Sequence, residues 1–149
     1  MRRSIVYNAL IPMAVMAIAL AGCGKDVSYR DGTYIGQSSV RESDDGSDDG
    51  NGYGIVTITI ENGIISDCSY LTYEVDGSLK DSEYGKEGGV IANKDYYNKA
   101  QKANAACGEY ADMLVANGRL DGIDAISGAT INYDEFVEAV NNALEEAVE

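Results

Sequence analysis

The sequence predicts an α+β domain: a small antiparallel meander packed with two main helices. Three observations lead there. Residues 53–61 and 64–73 are β-branched, alternating runs joined by Asn62-Gly63, the strongest short hairpin signal. Apolar residues then recur at spacings of three and four after residue 94, and again after residue 133. Strand patterns precede helical ones instead of alternating with them, which argues against a parallel βαβ arrangement. At 149 residues the chain suits one domain with a real core.

The elements follow in order. Asp31-Gly32-Thr33-Tyr34-Ile35-Gly36-Gln37-Ser38 reads as a first strand opened by an Asp-Gly turn. Arg41 to Gly52 is an acidic, Gly-rich connection. Within it, Asp45 to Gly50 matches the first half of an EF-hand loop, but the twelfth position falls on Val56 where a bidentate Glu is needed. A solvated connection is the better reading, and no metal is expected. In the next strand Val56, Ile58 and Ile60 share one face, and Thr57, Thr59 and Glu61 the other. Ile64 to Tyr73 is the return strand, and Ser78 to Gly89 a polar loop. The first helix spans about Lys94 to Asn117, with Ala100, Ala103, Cys107, Ala111 and Leu114 facing inward and Asn117-Gly118 closing it. The second spans Tyr133 to about Val148, burying Phe136, Val137, Val140, Leu144 and Val148. Asn132 is its expected N-cap, with Glu135 at capping-box spacing. Glu145, Glu146 and Glu149 form a solvated face.

Composition excludes several functions. With 11 basic and 25 acidic side chains the chain carries −14, which disfavours nucleic acid. There is no His, which removes Ser-His-Asp and Cys-His nucleophilic sites and His-ligated zinc or haem. No CxxC spacing occurs, so a thiol redox motif or zinc ribbon is unsupported.

The first 22 residues read as an export signal. Arg2 and Arg3 precede an apolar stretch, Ala9 to Ala21, too short to span a bilayer as a stable helix. It ends in Leu20-Ala21-Gly22-Cys23, which resembles the lipobox of bacterial lipoproteins. The resemblance implies cleavage before Cys23, acylation of that Cys, and a lipid-anchored tether over residues 23–30. Acyl chains there would hold the domain at the extracytoplasmic face of the cell membrane. The mature chain would keep 9 basic and 25 acidic residues, a net −16, so an anionic membrane would repel it and the lipid must do the anchoring. Cys68 and Cys107 would then lie where a disulfide is permitted, although two small buried hydrophobes is the simpler reading.

Between the helices lies Asp121-Gly122-Ile123-Asp124-Ala125-Ile126-Ser127-Gly128-Ala129-Thr130-Ile131-Asn132, read as a strand or turn delivering small residues to a helix N-terminus. Gly128 and Ala129 would let a ligand approach the backbone, and Ser127 and Thr130 supply hydroxyls. Helix-start amides pointing to the same place suit a phosphate, as they suit a tight helix entry.

Asp124-Ala125-Ile126-Ser127-Gly128-Ala129-Thr130 resembles the D-x-x-[S/T]-G-A-T flavinylation signature of the FMN-binding domain family. That family includes the flavin-carrying subunits of Rnf-type and sodium-pumping NADH:quinone oxidoreductases and extracytoplasmic flavoprotein lipoproteins. The similarity runs through Asp31-Gly32-Thr33-Tyr34, the Asn62-Gly63 strand pair, Val75-Asp76-Gly77 and both helices, and so covers residues 31–149. It implies FMN held as a phosphoester to Thr130, put there from FAD by a flavin transferase. Ser127, Gly128 and Ala129 would shape the cofactor loop, and Asp124 would orient it or be read by the transferase. The family commonly has Ser or Thr two residues after the acceptor, where this chain has Asn132. Tyr84, Tyr96 and Tyr97 are candidates to stack on the ring, the Tyr84 to Gly89 loop first among them, since Gly permits close approach.

The implied protein is a membrane-anchored electron carrier with extracytoplasmic redox partners, a component of a redox system rather than an independent enzyme. The alternative is a non-redox envelope lipoprotein, a ligand-binding or interaction module without flavin. Cys23→Ala is expected to release the domain from membranes or leave an uncleaved precursor. Fractionation showing unchanged processing and acylation in that variant would remove the anchor from the reading.

Overall fold

A computed structural model describes residues 27–43 and 50–149. The export segment, Cys23, the first part of the tether and most of the EF-hand-like stretch lie outside the described residues. Five elements follow: β1 (Gly32–Gln37), β2 (Tyr53–Glu61), β3 (Ile64–Tyr73), α1 (Lys94–Asn117) and α2 (Thr130–Ala147). The strands form one antiparallel sheet in the order β1-β2-β3, the expected meander.

Local chemistry sets the register. Asn62 (φ 55°) and Gly63 (φ 72°) both take the left-handed conformation that a two-residue turn of the right twist requires. Asp31 Oδ1 accepts a hydrogen bond from the Gly63 N–H (2.9 Å), tying the start of β1 to the β2–β3 turn. Ile58 stands opposite Tyr34 on one side and Cys68 on the other, and one register shift falls between Thr59 and Ile60. Val56, Ile58 and Ile60 are buried as their alternation predicts, each contributing roughly 1.5–3 kcal/mol of apolar burial.

Both helices cover this face, α1 against β3 and α2 against β1 and β2. Asn93 caps α1 by accepting from the Asp95 and Tyr96 amides, and Gly118 (φ 71°) ends it with its N–H on the Leu114 carbonyl. Ala100, Cys107, Ala111 and Leu114 are buried, and Ala103 packs partly buried beside them. The two described thiols, Cys68 and Cys107, are free. Burial pushes the Cys68 thiol up to about 12, with Asp67 and Asp112 adding to it.

The second helix departs from expectation at both ends. It starts at Thr130, three residues early, with Ala129 at the cap position and no side-chain cap bond. Asn132 is therefore a first-turn residue; its side chain turns inward and donates to Cys107 Sγ (3.3 Å). Glu135 forms no capping box but is buried. The preceding segment, residues 121–129, is turn and coil with no strand. The buried stripe continues through Ala139, Ala143 and Ala147, while Val148 lies beyond the helix, 43 % exposed. Alanine wins over the larger apolar residues because α2 crosses β1 at close range. A Cβ on Gly36 would fall 1.9 Å from the Ala139 carbonyl oxygen.

The two chain ends meet. Tyr29 bridges to Val148, Arg30 N–H donates to the Ala147 carbonyl (2.9 Å), and the Arg30 guanidinium donates to the Glu146 carbonyl (2.7 Å). Residues 28–30, expected as tether, are thus bonded to the end of α2.

Gly36→Ala is expected to force α2 off the sheet and to destabilise the fold by about 2–3 kcal/mol. Urea unfolding would measure it; a change within 0.5 kcal/mol, the usual range for a surface substitution at about that size, would contradict this packing.

Candidate functional site

The segment leading into α2 is held from below by phenols. Tyr110, on α1 and fully buried, accepts a hydrogen bond from the Ile126 N–H (2.8 Å) and donates one to the Ala129 carbonyl (3.1 Å). Tyr133 OH donates to the Ile123 carbonyl (2.8 Å), and Tyr70 OH to the Asn132 carbonyl (2.8 Å). The rings lie against one another: Tyr110 stacks on Phe136 (5.5 Å between centroids), with Tyr133 and Tyr70 tilted at either side. Burial raises the Tyr70 and Tyr110 hydroxyls above the ordinary phenol value, so both stay protonated donors.

That support presents Gly128, Ala129 and Thr130 to a cleft of about 180 Å³ between α1, the end of β3 and the start of α2. Thr130 is exposed at the first helical position, where α2 has no side-chain cap and no acidic residue in its first turn. Its leading amides and the positive end of the helix dipole are open to an anion. Gly128 takes φ 86°, a conformation that a side chain would strain, and a Cβ there would lie 3.5 Å from Lys102 Nζ. Ser127 and Asp124 are exposed on the same loop but do not line the cleft; Ala129 is buried.

The cleft also gathers cations. Lys80 and Lys99 line it and Lys102 stands over Gly128, three of the chain's six lysines in a molecule of net charge −14. Lys80 is brought there by the Tyr73–Leu79 bridge and by its own N–H on the Thr72 carbonyl (2.9 Å). It is 6 % exposed, with its ammonium over the Tyr84 ring (5.1 Å), and burial lowers its pKa. Tyr84 also lines the cleft, whereas Tyr97 OH is committed to the Ser82 carbonyl. A second concavity, about 480 Å³, shares Tyr84 but is walled by Glu74, Asp76 and Glu87 beside Lys86, and is poorly suited to an anion.

Behind the cleft, Glu135 is 5 % exposed. Burial raises its pKa to about 7, although Lys80 and Arg41 pull the other way. Neither Lys80 nor Glu135 was readable as a site residue. Each depends on a long-range pairing, and a Lys in a polar loop or a Glu in a first helical turn looks ordinary. Lys99 and Lys102 did leave a signal, a basic i,i+3 pair on one helix face of an acidic chain.

A family model of the FMN-binding domain matches residues 50–145, well over half the chain, from the connection before β2 to near the end of α2. The chain belongs to the FMN-binding domain family. The matched region contains the Thr130 cleft, and the residues there fit a phosphate-bearing flavin: a glycine cradle, an uncapped helix start, a free hydroxyl and lysines. No curated protein matches the chain. Among solved structures, it is similar to a crystal structure of a Clostridium perfringens protein at TM-score 0.56 and 21% identity, covering 80% of this chain and 88% of that one. That likeness shows a shared α+β fold. A solution structure from Clostridium thermocellum, 26% identical over 78% of this chain and 91% of that one, superposes at TM-score 0.40.

Glu135 makes stability depend on pH. Between the ordinary 4.5 and about 7, the folded chain keeps a proton there that the unfolded chain releases. Its contribution is full below 4.5 and is lost as pH rises through about 7. Asp31 and Asp76, lowered by backbone hydrogen bonds, act in the opposite sense and only below 3.8. The unfolding free energy is expected to fall by on the order of 2 kcal/mol across the Glu135 window, and Glu135→Gln to flatten that slope. Denaturant titrations at several pH values test this; the same slope in both proteins would assign it elsewhere.

Proposed function

We propose that this FMN-binding protein carries FMN covalently on Thr130, is held by a lipid on Cys23 at the extracytoplasmic face of the membrane, and passes electrons between redox partners. The observation that carries the attachment is the placement of Thr130: an exposed hydroxyl at an uncapped helix start, in a cleft that collects lysines. Attachment needs that oxygen and little else. Thr130 Oγ1 takes the FMN phosphoryl group from FAD, the pyrophosphate bond breaks, and AMP leaves with a proton going to solvent. A flavin transferase supplies the catalysis, which agrees with a site that has no histidine.

When bound, the flavin supplies one- and two-electron chemistry. The chain's own groups do the remainder. The α2 amides and Lys102 would hold the phosphate. Gly128 keeps side-chain bulk away from it, and Tyr110 and Tyr133 keep the loop in place through Ile126, Ala129 and Ile123. Tyr84 offers the cleft an aromatic wall. Asn132, where relatives commonly have a hydroxyl, is engaged with Cys107 and supports the helix entry from inside. An ester at the phosphate leaves the ring free to exchange electrons and prevents loss of a cofactor that could not be replaced outside the cytoplasm.

Coexpression with a flavin transferase is expected to add the mass of one FMN less one water and to give a fluorescent band that survives a denaturing gel. Thr130→Val should abolish the band with the fold intact, and Ser127→Ala should weaken labelling less. Gel-stable flavin on the Thr130→Val protein would mean a different acceptor. A wild-type chain that never acquires flavin beside an active transferase would favour the non-redox envelope lipoprotein.

A further inference from the structure

Two charged side chains, Lys80 lining the cleft and Glu135 behind it, are buried without pairing with each other. Lys80 and Glu135 are 6 % and 5 % exposed. Burying charge is costly unless it is paired and hydrogen-bonded. Yet the ion pair found within 4.0 Å among the described residues is Lys86–Glu83, not Lys80–Glu135. Among those residues Glu135 Oε1 has no hydrogen-bond partner. Lys80 Nζ has the Tyr84 ring face, and a Cβ on Gly52 would lie 3.0 Å from it, but it makes no hydrogen bond there. Lys80 opens on the cleft, whereas Glu135 sits behind it.

The titratable groups that act on Glu135 come from two loops, its own helix, β3 and α1. Lys80 and Arg41 reach it from loops, Asp134 and Glu138 from its own helix, Tyr70 from β3 and Cys107 from α1. Lys80 in turn feels Glu135, Glu74 and Cys107. Tyr70 OH is already given to the Asn132 carbonyl, and the Cys107 thiol to the Ala103 carbonyl. Lys80 is thus the foremost support for a negative Glu135, and the same ammonium is what the β3 side of the cleft offers an incoming anion.

We propose that Lys80 is a second anion contact of the cleft, and that Glu135 takes up one proton when an anion engages Lys80. This rests on the cleft being the cofactor site and extends that reading. Negative charge arriving there, whether on a phosphate or on a flavin that a partner has reduced, is balanced by a proton. An anion at Lys80 offsets the field that keeps Glu135 ionised, and its desolvated carboxylate then binds H⁺ from solvent to become the neutral acid. No electron moves in that step. By linkage, the protonated form of Glu135 must bind the anion more tightly, to the same degree.

Sulfate is a suitable probe because it does not titrate near neutrality. With the full-length, flavin-free chain in detergent, sulfate is expected to bind about five-fold more tightly at pH ~6 than at pH ~8. Adding it near pH 7 should produce the infrared carbonyl band of a protonated carboxyl. Glu135→Gln should lose both effects, and Lys80→Met should weaken sulfate about ten-fold and show the carboxyl band before any anion is added. Affinity independent of pH, absence of the band in the wild type, or its persistence in Glu135→Gln would overturn the proposal. If Glu135→Gln fails to fold, the wild-type spectrum and Lys80→Met decide it. No flavin takes part, so the two readings fail separately. A chain that couples sulfate to proton uptake but never acquires FMN refutes the carrier alone, and one that acquires FMN without the coupling refutes the coupling alone.

Discussion

The hydroxyl of Tyr110 is the constraint on which the site depends. It is wholly buried, accepts from one backbone amide and donates to one backbone carbonyl, and those groups bracket Ser127 and Gly128. Each bond contributes about 1 kcal/mol on its own, but losing the phenol would leave the Ile126 N–H with no partner near the core and the Ala129 carbonyl with the Tyr133 N–H alone. Its ring is also a core element, stacked on Phe136 beneath the sheet. The loop is therefore fixed to the most rigid part of the molecule rather than to its surface, and the helix that follows must begin where Tyr110 sets Ala129.

The electrostatics follow the same economy. An acidic molecule repels anions at long range, so an anion site must be made locally, from lysines and helix amides too close for the distant carboxylates to cancel. Lys80, Lys99 and Lys102 come from two separate segments and meet only in the folded chain. The Tyr84 ring and the methyl groups of Ala100, Ala103 and Ile131 around them matter as well, because a less hydrated wall strengthens each short-range attraction.

Much of the fold was legible in the sequence, for identifiable reasons. The β2 alternation and Asn62-Gly63 are local signals whose meaning does not depend on the remainder of the chain, and strand order, register and α1 follow them closely. The start of α2 was misplaced because Asn132 is an excellent cap by propensity, yet tertiary contacts outweighed it. Tyr70 claims the Asn132 carbonyl and Cys107 its side chain, drawing it into the first turn. Glu135 was misread for the same reason. Thr130 and Gly128 could be singled out because a short signature carries them. Lys80 could not, since its place depends on a bridge between Tyr73 and Leu79 that no local pattern announces.

The meeting of the chain ends sets an orientation. Residues 28–30 are bonded to the last turn of α2, while Thr130 opens its first. An 18-residue helix is about 27 Å long, so the cleft and the joined chain ends lie at opposite ends of one rigid rod. Were Cys23 lipidated, the five residues to Ser28 would reach no further than about 18 Å. The bilayer would then hold the molecule by its foot, with the cofactor carried at the head. Such a geometry would turn a bound flavin toward partners approaching from the aqueous side, and the short leash would limit how far it could swing back toward the lipid.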